Sequence, residues 1–140
     1  MTRKITTKWI GGMSFVSDNP NGTTVLMDSD VEDDDRLYGQ SPKGMMLSAL
    51  AGCTGIDVVM ILDKMKIKSY KFKMDVEGEL TDEHPKYFNK VKIDYHFYGN
   101  DLNETKFKKA VDLSAEKYCG VMEMFRQFAE LKSEIHYHEG

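Results

Sequence analysis

Two side chains in this sequence could carry thiol chemistry: Cys53 and Cys119, the two cysteines it contains. A thiolate sulfur is a strong nucleophile and a soft metal ligand, and a buried thiol is an inert apolar group, so the pair could be redox-active, metal-binding or structural. The spacing is not that of a Cys-x-x-Cys site, so only the fold can bring these sulfurs together. Cys53 lies between Gly52 and Gly55 in the most apolar segment of the chain. Mid-helix glycine costs about 1 kcal/mol relative to alanine. The two glycines either let another element pack closely or clear space around the sulfur for a substrate or partner. Cys119 precedes Gly120 where a helical pattern breaks and a new one begins. A helix N-terminus favours thiolate through its unpaired N–H groups and dipole, which makes position 119 suitable for a reactive or resolving sulfur. A cysteine that merely fills the junction is the alternative. His136 and His138 share one face of a short strand and are the residues a zinc site would draw on, although histidines near a C-terminal end are ordinary surface residues. No metal and no other cofactor is expected.

The composition narrows the setting. With 140 residues, 41% hydrophobic and 30% charged, the chain is expected to form a single domain over residues 1–140 with one core. The net charge of −4 offers no basic footprint for nucleic acid or anionic membrane, so neither is expected as a partner. The N-terminal residues carry charge without a following apolar segment, and the protein reads as cytoplasmic. In that reducing compartment a permanent disulfide is disfavoured.

Several elements must position the two sulfurs. Residues Ile5 to Met27 mix β-formers with Gly11-Gly12 and Asn21-Gly22, which predicts two or three short strands joined by tight turns. Asp28 to Asp35 is densely acidic and reads as a solvated loop; it lacks the spaced ligands and central glycine of a calcium-binding EF-hand. Ser41-Pro42 suits the N-terminus of a helix. From Met45 to Leu62 that helix is apolar on nearly every side, so it is expected to be central and buried. Gly, Ser and Thr interrupt it and Asp63-Lys64 closes it, which argues against a membrane span. Tyr70 to Leu80 alternates strictly, as does Lys90 to Phe97, so an antiparallel hairpin with one wet face is expected. Asn103 can cap a second helix with Phe107, Ala110, Val111, Ser114 and Tyr118 on one stripe. A short helix over Val121 to Leu131 and a closing strand over Ile135 to His138 complete an α+β fold: an antiparallel sheet with a long buried central helix.

The segment from Gly39 to Leu62, GQSPKGMMLSALAGCTGIDVVMIL, followed by Ser114 to Met122, SAEKYCGVM, resembles the superfamily of osmotically inducible protein C and organic hydroperoxide resistance proteins (OsmC/Ohr). The order of the elements between the two motifs also fits, so the resemblance spans nearly the whole chain. It implies an intertwined homodimer with long helices buried between sheets and sites at the subunit interface. It further implies a thiol-dependent, peroxiredoxin-like hydroperoxide reductase of the oxidative-stress response. By residue-to-residue match Cys53 would be the peroxidatic thiol and Cys119 the resolving one. The substrates implied are organic hydroperoxides, with hydrogen peroxide as a further one, and the reductant a dithiol or a lipoylated protein. The family sets an arginine, held by a glutamate early in the central helix, beside the first cysteine. Here Lys43-Gly44 occupies the position of that glutamate, and Arg36 is the candidate cation, with Arg3, Arg126 or a lysine as alternatives. The alternative reading is a non-catalytic member of the fold that binds a small apolar ligand at the dimer interface. The ten methionines would suit such an adaptable cavity, or serve as plain core filler.

Overall fold

The computed structural model describes residues 1–29 and 39–140. Arg36 and most of the acidic segment from Asp28 to Asp35 therefore lie outside the described residues. The chain divides into two compact units, Met1–Met46 and Leu47–Gly140.

In the first unit β1 (Thr6–Gly11), β2 (Ser14–Asp18) and β3 (Thr24–Met27) form an antiparallel meander in the order β1-β2-β3. Gly11 and Gly12 make the first turn at φ of 112° and 54°, a region that residues with a Cβ rarely adopt. At the second turn the Asn21 carboxamide oxygen accepts the Thr23 N–H at 3.1 Å. The sheet is thin and its large apolar residues stay in the open: Trp9 is 67% exposed, and Ile10 and Met13 are exposed as well. Helix α1 (Pro42–Lys64) starts in this unit, where the Ser41 hydroxyl accepts the Gly44 N–H at 3.1 Å, the cap expected of this residue.

The second unit holds the rest of α1 and a sheet of β4 (Lys71–Leu80), β5 (Phe88–Tyr98) and β6 (Glu130–His138). The central strand, β5, runs antiparallel to β4, with Val76 opposite Ile93, as the alternation requires. β6 departs from the all-antiparallel expectation: it pairs with β5 in parallel, Ile93 opposite Ser133. A parallel return needs a long crossover, and the segment between these strands supplies it through α2 (Glu104–Leu113), a π-helical turn (Ser114–Tyr118) and α3 (Gly120–Arg126). α3 is also shorter than its apolar pattern suggests, because β6 takes over from Glu130.

α2 begins as its sequence dictates, with the Asn103 side chain accepting the Lys106 N–H at 3.2 Å. Phe107, Ala110, Val111 and Ser114 are buried on one stripe, but the π turn then changes the winding and leaves Tyr118 exposed. The core joins Leu50, Val58 and Leu62 of α1 to Ile93, Tyr95 and Phe97 of β5, with Phe107 of α2 and Met122 and Phe125 of α3. Burial of each such side chain contributes about 1.5–3 kcal/mol. Although α1 is apolar nearly all round, one face is buried in the chain, through Leu50, Thr54, Gly55, Val58 and Leu62. Ile56, Val59 and Met60 are exposed.

Candidate functional site

The two sulfurs meet within the second unit. Cys53 sits at the middle of α1, and Cys119 is the residue that links the π turn to α3. The Asp57 carboxylate completes the group: a ligand atom from each of Cys53, Asp57 and Cys119 lies within 4.8 Å of the others. Asp57 stands one helical turn after Cys53, the i, i+4 spacing that puts both on one face. Both cysteines are free thiols. Cys53 is partly accessible and Cys119 is 4% exposed. Gly52 is open on its outer side, where a Cβ would meet nothing within 4 Å, so it leaves space beside Cys53. Gly55 does the other job considered for these glycines: a Cβ there would press on the Met74 methyl at 2.7 Å, and its absence lets α1 lie close to β4.

A buried hydrogen-bonded chain holds this geometry. The Tyr95 hydroxyl lies 2.8 Å from Thr54 Oγ1, Thr54 Oγ1 lies 2.8 Å from Ser114 Oγ, and Ser114 Oγ donates to Asp57 Oδ2 at 3.1 Å. A carboxylate can only accept, which sets the direction of the whole chain: Tyr95 donates to Thr54, Thr54 to Ser114, and Ser114 to Asp57. Burial raises the Tyr95 pKa, so its hydroxyl keeps the proton this direction requires. Ser114 also fixes the far end of the π turn, since its carbonyl accepts the Cys119 N–H at 2.8 Å. One serine thus ties the segment that carries Cys119 to the helix that carries Cys53.

The expectation that a helix N-terminus makes Cys119 thiolate-like is half met. Cys119 does cap α3, its Sγ accepting the Met122 N–H at 3.3 Å, and that bond stabilises the anion. Burial outweighs it, and with the adjacent Cys53 thiol and the negative charge of Asp57 pushes the Cys119 pKa up to about 12. Cys119 therefore rests as a neutral thiol, suited to a second step rather than a first. Of the candidate cations, Arg126 is engaged elsewhere, in an ion pair with Glu123 at 3.0 Å. Lys43 is exposed in the first turn of α1. Among the described residues, the charged group brought against the two sulfurs is a carboxylate, that of Asp57. Asp57, Thr54 and Tyr95 are site residues that sequence reasoning missed; the signal for Asp57 was a lone acid one turn beyond the cysteine in an apolar helix.

Among the described residues, two places offer metal-ligating chemistry. Cys53, Asp57 and Cys119 form one, although Cys119 must first lose a tightly held proton. The other lies on the wet face of the sheet, where His136 stands beside Asp94 and Glu134.

Residues 32–134 match the family described as OsmC-like protein, and the chain belongs to that family. It is 35% identical over 120 residues to Protein YhfA of Escherichia coli K12, covering 86% of this chain and 87% of that protein. The OsmC-like protein of Mycoplasma pneumoniae shares the fold with a TM-score of 0.81 at 16% identity, over 98% of this chain and 97% of the other. The organic hydroperoxide resistance protein OhrB of Bacillus subtilis shares it with a TM-score of 0.68 at 16% identity, over 96% and 98%. By length and composition α1 could cross a membrane. In this α+β fold it is the core helix.

Two outcomes follow from the site. Replacing Thr54 by valine keeps the shape but removes the middle of the chain, leaving Tyr95 and Ser114 short of a partner, so it should lower stability by about 1–3 kcal/mol in urea unfolding. A change below a few tenths of a kcal/mol would mean that the network contributes little. The second outcome concerns pH. The fold binds the Cys119 proton more tightly than the unfolded chain does, so this stabilisation is fully present below about pH 8.5, the ordinary thiol value, and is lost as pH rises towards about 12. Reduced wild type should lose stability between pH 8.5 and 11 more steeply than Cys119→Ser. Parallel slopes would contradict the buried thiol.

Proposed function

We propose that this protein is a thiol-dependent peroxidase that reduces organic hydroperoxides, and also hydrogen peroxide, with Cys53 as the attacking and Cys119 as the resolving residue. The observation that carries this reading is the pairing of one accessible and one buried, protonated thiol with their reacting atoms within 4.8 Å. The Cys53 thiolate attacks the peroxide oxygen, the O–O bond breaks, and the alkoxide takes a proton to leave as alcohol. Cys53 is then a sulfenic acid. Cys119 attacks that sulfur, the S–S bond forms and hydroxide leaves as water, so the two thiols supply both electrons. Attack by Cys119 requires loss of its proton. Asp57 is the nearby base for that proton, and Ser114 steadies its carboxylate. An external dithiol, small or carried on a lipoylated protein, returns the electrons.

The working unit we propose is a cytoplasmic homodimer of single OsmC-like domains. Support comes from the apolar surface each chain leaves open: Trp9, Ile10 and Met13 on the first unit, and Ile56, Val59 and Met60 along α1. Arg36 retains the role of cation for Cys53 in this proposal on the strength of the family pattern alone. A protein that only bound an apolar ligand would have no need of two sulfurs held this close.

Reduced protein titrated with cumene hydroperoxide and with hydrogen peroxide, while free thiols are counted, tests the proposal. Wild type should lose both thiols together, Cys53→Ser should consume no peroxide, and Cys119→Ser should stop at sulfenic acid. Equal, slow oxidation of wild type and Cys53→Ser would overturn it.

A further inference from the structure

The wet face of the sheet in the second unit carries a second cluster, remote in chemistry from the thiols. The parallel register of β5 and β6 places Asp94 beside Glu134 and His96 beside His136. All four side chains project from one face because strand residues alternate. His136 Nε2 lies 2.8 Å from Asp94 Oδ1 and 3.6 Å from Glu134 Oε2. With metal–ligand bonds near 2.1 Å, ligand atoms around a tetrahedral zinc ion stand about 3.4 Å apart. The three ligand atoms lie within 4.8 Å of one another, and opening the His136–Asp94 contact by about 0.6 Å would bring it to that spacing.

We propose that Asp94, Glu134 and His136 form a binding site for a divalent transition-metal ion of the zinc class, clamping β6 to β5. One imidazole nitrogen and two carboxylates suit a borderline ion, and three protein ligands leave a fourth position for water. A cation already occupies the neighbourhood: Lys92 Nζ lies 3.5 Å from both Asp94 Oδ1 and Glu134 Oε2. Its side chain is 41% exposed, so it can swing into solvent when a metal enters. His96 and His138 frame the site without ligating. His96 stacks on His136 with ring centroids 4.6 Å apart. Its two nitrogens are engaged, Nε2 with Asp75 at 3.2 Å and Nδ1 with His138 at 2.9 Å.

Zinc chloride titrated calorimetrically into the Cys53→Ser/Cys119→Ser protein tests this with the thiol site removed. One ion per chain should bind. Asp94→Asn and His136→Ala, each checked for native circular dichroism, should weaken binding at least about tenfold. Lys92→Ala should tighten it several-fold, because the competing cation is gone, and His138→Ala should leave it unchanged. Zinc should also raise the melting temperature of the His136-containing protein and not that of His136→Ala. Absence of saturable binding, or binding that tracks His138 instead of His136, would overturn the proposal.

Discussion

The contact between Thr54 and Ser114 is the constraint on which the site depends. These two hydroxyls are buried, 2.8 Å apart, and belong to elements remote in sequence, the central helix and the π turn after α2. Buried hydroxyls are costly unless paired, so the helix and the turn can approach only in the register that pairs them. Cys53 directly precedes Thr54, and the Ser114 carbonyl anchors Cys119, so the same register sets the separation of the sulfurs. The Asp57 carboxylate ends the chain and gives it a direction, which makes the network both a structural tie and a line of polarised donors beside the thiols.

The surroundings of Cys119 pull its proton equilibrium in opposite directions. At Cys119 a backbone N–H at a helix start favours the anion, while burial and a nearby carboxylate oppose it, and the opposition wins by a wide margin. A helix N-terminus contributes on the order of 1 kcal/mol, whereas desolvation of a buried ion costs several. Cys119 is thereby held as a neutral thiol.

Much of this was legible in the sequence. Ser41, Asn103 and the alternation of Tyr70 to Leu80 and of Lys90 to Phe97 are local signals, and the elements they predict are present. Cys119-Gly120 marked a real break between helices. The errors share one cause, which is that tertiary connection overrides local pattern. Nothing in Glu130 to His138 says which way that strand pairs; the length of the helical crossover decides it. Tyr118 continues an apolar stripe that the π turn carries out of phase. Thr54 and Tyr95 read as ordinary fillers, because a buried network exists only once distant segments have met.

The central claim is that Cys53 and Cys119 of one chain close into a disulfide through a sulfenic acid. Peptide mapping by mass spectrometry, after reduced protein is treated with one equivalent of cumene hydroperoxide, tests it most directly. The expected product is a Cys53–Cys119 linked peptide within a single chain, lighter than the two reduced peptides by two hydrogen atoms. Recovery of both peptides with intact thiols, or of Cys53 over-oxidised to sulfinic acid without any link to Cys119, would contradict it.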